Sequence, residues 1–190
     1  MKIVLASKSP RRKELLSSLF SEFEIVTREV DEALPKDLHP SRGVELLAIK
    51  KGEAVLSVVD SDALVISSDT LVELDGVALG KPCDEADAFR ILSLLSGKAH
   101  NVHTGVAVHY RGRVYSGVDS TAVRFRQLTD GEIQDYIATR EPMDKAGAYG
   151  IQGIGGKLVD GFDGDYDTVV GLSMRLTREL VGAAIADFEN

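Results

Sequence analysis

Two long segments of alternating side chains lie in the middle of the chain, and they constrain the fold more than any other feature. The segments are Val102–Tyr110 and Val114–Phe125, and they are joined at Arg111-Gly112. Alternation on both sides of a short glycine-containing connection is typical of two antiparallel strands. The sequence therefore predicts an antiparallel hairpin in the central part of the fold.

Strands and helices alternate in the rest of the chain. Short apolar runs at Lys2–Ala6 and Ala63–Ser67 predict buried strands, and Ser9-Pro10 predicts a helix start, because serine caps helices and proline suits their first position. The remaining predicted elements are a strand at Phe23–Thr27, a helix from Val44, a hairpin turn at Asp75-Gly76, a helix from Asp84 to Gly97, a helix opened by Thr129-x-x-Glu132, strands at Lys157–Phe162 and Tyr166–Val170, and a helix from Ser173 to Val181. This order favours an α/β protein with a mixed sheet.

Length and charge exclude several classes of protein. The 190 residues fit one domain, or two small lobes that share one core. No apolar run reaches the ~18–20 residues of a membrane span, and the N-terminus does not resemble a signal peptide, so we expect a cytoplasmic protein without a membrane partner. A net charge of −8 argues against nucleic acid as a partner, and the single cysteine, Cys83, cannot form an internal disulfide.

Basic residues gather where a strand is expected to give way to a helix, in Ser7-Lys8-Ser9-Pro10-Arg11-Arg12. A helix N-terminus offers free N–H groups and partial positive charge, so it suits an anion. Two arginines in a first turn oppose the helix dipole, which indicates a phosphate nearby. The alternative is a pair of solvated arginines on a surface helix.

Acidic residues follow two predicted strands. Asp69, in Ser68-Asp69-Thr70, could hold a divalent metal or take a proton from water, and the alternative is a turn or capping aspartate. The adjacent acids Asp31 and Glu32 could both reach one metal from a loop, and the alternative is a solvated pair.

Lysines and a glycine-rich segment complete the candidate residues. Lys50, Lys51, Lys81 and Lys145 each offer an ammonium that suits phosphate, although a single lysine is most often solvated. Residues 145–153 are rich in glycine, which permits close backbone approach to a ligand, and Gln152 could read a base edge. The alternative is a glycine-rich turn.

Walker A, Rossmann, zinc-protease and nucleophile-elbow motifs are absent from the sequence, which disfavours zinc hydrolysis and serine-type acyl transfer.

Taken together, these segments resemble the Maf family of nucleotide pyrophosphatases over roughly residues 2–181. The matching blocks are Leu5-Ala6-Ser7-x-Ser9-Pro10-Arg11-Arg12, Asp31-Glu32, Lys51, Ser68-Asp69-Thr70, Lys81-Pro82, Ser96-Gly97, Thr104-Gly105, Asp144–Gly153 and Val169-Val170-Gly171-Leu172. Gly52 departs from the family, in which alanine is usual, and we expect it to loosen its helix by up to ~1 kcal/mol.

The resemblance implies a mixed, twisted sheet with flanking helices and a deep central cleft, similar to the inosine triphosphatase architecture. Residues 1–190 would then form a single domain of two lobes. The resemblance also implies hydrolysis of dTTP, UTP and modified pyrimidine nucleotides to the monophosphate and pyrophosphate, with Mg²⁺ or Mn²⁺. Family members often form homodimers. The alternative function is a nucleotide-sensing regulator of cell division that binds a partner.

The family's residue roles can be assigned to matching positions of this chain. The residues assigned to neutralising the triphosphate are Arg11, Arg12, Lys51 and Lys81. Glu32 and Asp69 would hold the metal, and Asp69 would orient or deprotonate the attacking water. Ser7 and Ser9 would contact phosphate. Gln152, with Thr70, would recognise the base or sugar.

Overall fold

A computed structural model of the protein describes residues 1–35 and 37–189. The helices in this part of the chain are α1 (Pro10–Ser17), α2 (Pro40–Glu53), α3 (Glu85–Leu95), α4 (Asp130–Ala138), α5 (Tyr166–Val170) and α6 (Met174–Glu189). The strands are β1 (Ile3–Leu5), β2 (Glu24–Ile25), β3 (Leu64–Leu74), β4 (Val77–Leu79), β5 (Ala99–Tyr110), β6 (Arg113–Phe125) and β7 (Val159–Asp163). None of the described helices is long and apolar enough to cross a membrane.

The described strands form one mixed sheet in the order β2-β1-β3-β5-β6-β7, with β4 paired to β3. Strand β1 runs parallel to β2 and to β3, whereas the β3–β4 and β6–β7 pairs are antiparallel. The two-residue connection Arg111-Gly112 has positive φ at both positions, as tight hairpin turns require. The predicted α/β class with a mixed sheet and flanking helices is therefore confirmed.

Three predicted helix starts are confirmed by their capping hydrogen bonds. The Ser9 side chain accepts a hydrogen bond from the Arg12 N–H, and the Asp84 carboxylate accepts one from the Asp87 N–H. Thr129 forms the predicted reciprocal capping box at the start of α4. These helix starts could be predicted from sequence because each capping side chain forms its hydrogen bond within the first turn of its own helix.

The chain divides into two compact units, each built from separate stretches of sequence. Unit 1 contains residues 1–69, 104–119 and 171–190, and unit 2 contains residues 70–103 and 120–170. Each unit has its own apolar core. In unit 1 the core includes Leu5, Leu16 and Ile66, and in unit 2 it includes Leu92 and Phe125.

Several predicted elements differ from the structure. Residues Tyr166–Val170 form helix α5, not a strand. The Val-Val pair at its end resembles a strand locally, but the segment is flanked by Gly164 and Gly171 at positive φ, and Thr168 donates its N–H to the Asp165 carbonyl in a helical turn. Strand β7 starts only at Val159, because a short 3₁₀ turn includes the preceding residues.

The position of Ser68-Asp69-Thr70 was also predicted wrongly. These residues lie within β3, which continues to Leu74, and do not form a turn after a strand. The polar residues interrupt the apolar pattern of the strand without ending its backbone hydrogen bonding, because strand pairing depends on N–H and C=O groups and not on side chains.

Candidate active site

The centre of the candidate site is one lysine that contacts two acids. The Lys51 Nζ atom lies 2.7 Å from Glu32 Oε1 and also forms a short ion pair with Asp69 Oδ1. The Lys51 and Asp69 side chains are 19% and 12% exposed, whereas that of Glu32 is 57% exposed. The three residues come from α2, from a loop and from β3, and the structure brings them together within unit 1.

Helix α2 is held against the sheet by close contacts on its inner face. The buried Ser67 hydroxyl donates a hydrogen bond to the Ala48 carbonyl at 2.7 Å. Gly105 lies so close to the backbone of Val44 that a Cβ atom would clash with it. Because Ser67 precedes Asp69 by two residues on β3, this packing fixes the position of Lys51 relative to Asp69.

Arg12 belongs to the same group of charges. Its guanidinium interacts electrostatically with Asp69 and Glu32. Burial lowers the pKa of Arg12 most strongly, Asp69 opposes this effect, and the nearby charge of Arg11 adds to it. An arginine remains protonated at physiological pH despite such a shift. The site therefore holds two acids beside two fixed positive charges.

The Gly171 carbonyl orients Arg12. Arg12 Nε donates to this oxygen at 2.8 Å, and the buried Ser68 hydroxyl donates to the same oxygen at 2.9 Å. Sequence reasoning did not predict that Gly171 or Ser68 helps to hold Arg12. The block that contains Gly171 was visible only as part of the family resemblance, and a backbone carbonyl leaves no signature in side-chain chemistry.

The other residues predicted at the strand-to-helix junction lie close to Arg12. Ser7 Oγ accepts hydrogen bonds from the Ser9 N–H at 3.2 Å and from Arg12 Nη1 at 3.4 Å. Ser9 caps α1, and Arg11 is half-buried in its first turn. The first turn of α1 therefore carries two guanidinium groups, and the residues just before it supply two serine hydroxyls.

Three predicted site residues lie in unit 2. Thr70 is half-buried on β3, whereas Lys81 and Gln152 are exposed in loops. The Gly147 N–H donates to the Gly80 carbonyl at 3.0 Å, which links the residue before Lys81 to the glycine-rich segment that carries Gln152.

A half-buried network around Glu141 shapes this glycine-rich segment. The Glu141 carboxylate accepts hydrogen bonds from the N–H groups of Ile154 and Gly155, both at 3.0 Å, and from the Tyr136 hydroxyl at 2.9 Å. Burial raises the pKa of Glu141, but the hydrogen bonds from Gly155, Ile154 and Tyr136 outweigh burial, so the pKa is lowered overall. Sequence reasoning missed this carboxylate because its partners are mostly backbone groups.

The same network engages Lys145, which the sequence had suggested as a phosphate ligand. Its Nζ atom donates to the Glu141 carbonyl and to Asp144 Oδ1, both at 2.6 Å. The Lys145 side chain is only 14% exposed. In the structure, Lys145 therefore connects two positions of the loop through these contacts.

Glu32 and Asp69 are the residues that could hold a divalent cation. Both present carboxylate oxygens to one positive group, and oxygen donors suit Mg²⁺ and Mn²⁺. Within residues 1–35 and 37–189, no group of three or more His, Cys, Asp or Glu side chains is placed to bind a metal. A pair of carboxylates fits Mg²⁺, which keeps several waters and takes other ligands from substrate phosphates.

Comparison with known proteins identifies the family of the chain. The family model described as Maf-like protein matches residues 2–184. A dTTP/UTP pyrophosphatase of Moorella thermoacetica is 50% identical over 182 residues, which cover 95% of this chain and 93% of the relative. A dTTP/UTP pyrophosphatase of Bacillus cereus is 48% identical and covers 94% of both chains. The chain belongs to the Maf-like protein family.

A solved structure supports the fold independently. The Ham1 protein of Staphylococcus aureus matches with a TM-score of 0.55 at 16% identity, covering 100% of this chain and 98% of that one. At this identity the likeness concerns the fold alone, and it confirms the predicted architecture of a mixed sheet with flanking helices.

Proposed function

We propose that this protein hydrolyses dTTP and UTP, and modified pyrimidine nucleotides, to the monophosphate and pyrophosphate. The observation that carries the proposal is the convergence of Lys51, Glu32 and Asp69 beside Arg12. The substrate class is supported by relatives of about half-identical sequence that are named dTTP/UTP pyrophosphatases. No feature of the described residues favours the alternative of a cell-division regulator.

The mechanism assigns charge neutralisation and water activation to different residues. Arg11, Arg12, Lys51 and Lys81 neutralise the triphosphate, since preplaced cations stabilise the charge that develops in phosphoryl transfer. Ser7 and Ser9 contact phosphate oxygens. A bound Mg²⁺ or Mn²⁺ ion, held by Glu32 and Asp69, would polarise phosphate oxygens. Asp69 orients the attacking water or takes its proton. The water oxygen attacks the α-phosphorus, and the bond from this phosphorus to the bridging oxygen breaks, which releases pyrophosphate.

Recognition of the nucleoside is assigned to Gln152 and Thr70. The Gln152 side chain carries both a donor and an acceptor, which match the paired polar groups of a pyrimidine base edge. A site built around such groups rejects bases that leave them unpaired.

The proposal also concerns the cellular location, the partners and the oligomeric state of the enzyme. A nucleoside triphosphate substrate is consistent with a cytoplasmic enzyme, and the net charge of −8 is consistent with a partner other than nucleic acid. The family resemblance supports a homodimer, which sedimentation analysis of the purified protein would test.

A pyrophosphate-release assay tests the function. The panel contains dTTP, UTP, 5-methyl-UTP, ITP and 7-methyl-GTP, each with Mg²⁺, with Mn²⁺ and with chelator. We expect release from the pyrimidine nucleotides only in the presence of metal, and Asp69→Asn should abolish it. The control is Asp75→Asn, because Asp75 lies in an exposed turn at positive φ that asparagine also adopts. Wild-type rates in Asp69→Asn would remove Asp69 from the mechanism.

A further inference from the structure

The charges of the candidate site are already balanced among protein groups. Lys51 contacts both carboxylates, Glu32 and Asp69, and the Arg12 guanidinium interacts electrostatically with the same two acids. Two positive and two negative groups thus neutralise one another. Both acids contact the Lys51 ammonium, although the Glu32 side chain is 57% exposed and that of Asp69 is only 12% exposed.

The Lys51 ammonium uses the carboxylate oxygens that a divalent cation needs. Two carboxylates close together repel one another unless a positive group lies beside them, and Lys51 supplies that group as a compact point charge. A divalent ion bound by Glu32 and Asp69 would be a second cation beside Lys51. Either the ion binds weakly against this repulsion, or Lys51 moves to another anion.

A triphosphate supplies that other anion. Its oxygens can accept the hydrogen bonds of Lys51 and Arg12, and this frees Glu32 and Asp69 for the ion. Phosphate oxygens also complete the coordination that two carboxylates leave unfilled. Both effects make the ion and the nucleotide favour each other's binding, and by linkage the coupling is reciprocal.

We infer that Lys51 competes with the divalent cation for Glu32 and Asp69, and that nucleotide binding relieves this competition by exchanging the partners of Lys51. This inference rests on the proposed function. It assigns Lys51 a second task besides neutralising phosphate: it keeps metal affinity low until a triphosphate is bound.

The test measures Mn²⁺ binding to the protein without nucleotide, by electron paramagnetic resonance of free Mn²⁺. The variant is Lys51→Met, which removes the ammonium and keeps the length of the side chain. The matched control is Lys50→Met, which removes the same charge one residue away and leaves the Lys51 contacts unchanged. Lys51→Gln is a second variant that retains a neutral donor, and thermal unfolding shows which variants are folded.

We expect Lys51→Met and Lys51→Gln to bind Mn²⁺ about tenfold more tightly than wild type, the scale of ordinary coupling between sites. Lys50→Met should bind within about twofold of wild type, because its charge is not shared with the acids. A dUTP analogue with an imido group between the α- and β-phosphates should strengthen Mn²⁺ binding to wild type. The analogue should strengthen Mn²⁺ binding to Lys51→Met by a much smaller factor.

Unchanged or weaker Mn²⁺ binding by both Lys51 variants would overturn the inference, as would equal gains in Lys51→Met and Lys50→Met. Absence of Mn²⁺ binding in every protein would also overturn it. These outcomes are separable from failure of the proposed function. Wild-type protein that releases pyrophosphate only with metal retains the function even if the exchange is refuted, and protein without such release loses the function whatever the binding data show.

Discussion

The imidazole ring of His109 packs against the Cα atom of Gly52, in the space where a side chain at position 52 would begin. His109 is buried on β5, and Gly52 lies in the last turn of α2, directly after Lys51. The glycine was expected only to loosen this helix. The structure shows instead that it lets the helix approach the sheet over a large buried ring.

Replacing Gly52 with alanine should therefore destabilise the protein, although alanine is the better helix former. A Cβ atom would collide with the His109 ring and would lie 2.8 Å from Ser67 Oγ. Overpacking of this kind costs about 1–3 kcal/mol, and contacts as short as 2.3 Å to the His109 ring place the cost above the ~1 kcal/mol gained in helix propensity. Denaturant unfolding would measure the difference.

Gly182→Ala provides the control for this experiment. Gly182 lies within α6, and nothing lies within 4 Å of the place where its Cβ would be. This substitution should stabilise the protein by about 0.5–1 kcal/mol. If Gly52→Ala were equally stabilising, the close packing of His109 against α2 would be wrong.

The bond from Arg12 to the Gly171 carbonyl predicts that Arg12→Lys is not a conservative change. Lysine keeps the charge but has no Nε–H to donate to this carbonyl while its terminal group faces the acids. We expect kcat/KM for dTTP to fall on the order of tenfold to a hundredfold. Arg11→Lys should lose less, because within residues 1–35 and 37–189 no backbone carbonyl holds the Arg11 guanidinium as Gly171 holds Arg12. Equal losses in the two variants would show that charge alone matters.

The Glu141 network predicts that loss of its carboxylate weakens nucleotide binding. Glu141→Gln weakens acceptance from the Ile154 and Gly155 N–H groups, so the segment carrying Gln152 should become more mobile. We expect KM for dTTP to rise more than kcat falls, and amide exchange to accelerate over residues 150–156. Gln152→Ala, by contrast, should blunt discrimination among bases more than it slows the best substrate.

Glu85→Gln is the control for Glu141. Glu85 forms an exposed ion pair with Arg140, the residue before Glu141, and exposed pairs contribute less than about 1 kcal/mol. The substitution should leave amide exchange and KM unchanged. Amide exchange over residues 150–156 that is as slow in Glu141→Gln as in wild type would refute the role of the carboxylate in fixing this segment.

His100 should make the protein less stable in mild acid. Burial lowers the pKa of His100 to about 4, whereas a histidine in the unfolded chain titrates near its ordinary value of 6.5. The unfolded state therefore binds the proton first as the pH falls, and folding stability declines over that window. Between about pH 7 and about pH 5 the loss should be about 2 kcal/mol.

His100→Asn isolates this contribution. Asparagine does not titrate and can still pair with the Tyr149 hydroxyl, which lies 2.9 Å from His100 Nε2. Unfolding free energies of both proteins would be measured across this pH range. The difference between wild type and variant should shift with pH, and a constant difference would exclude His100 as the source.

Local patterns predicted the elements that depend on local hydrogen bonds. The caps at Ser9, Asp84 and Thr129 and the turn at Arg111-Gly112 were readable because each involves residues within three or four positions. The valines that end Tyr166–Val170 misled the prediction, because flanking glycines at positive φ and tertiary burial determine that helix.

The sequence predicted which charged residues belong to the candidate site but not how they are arranged in space. Family resemblance singled out Glu32, Lys51 and Asp69, while the sharing of Lys51 by both acids follows only from the packing of α2 on β3. The contributions of the Gly171 carbonyl and of Glu141 were not predicted, because Gly171 acts through a backbone oxygen and the Glu141 carboxylate binds mainly backbone N–H groups.

The hydrogen bond between Arg12 and Gly171 joins residues 159 positions apart. During synthesis, the arginine leaves the ribosome almost at the start and the carbonyl that holds it almost at the end. A chain that stopped just before Gly171 would contain every charged side chain assigned to the reaction, and Arg12 would still lack the oxygen that aims it. Such a chain would also lack Leu172, Met174 and Val181, which belong to the core of unit 1, so the end of the chain is needed both to fold this unit and to orient Arg12.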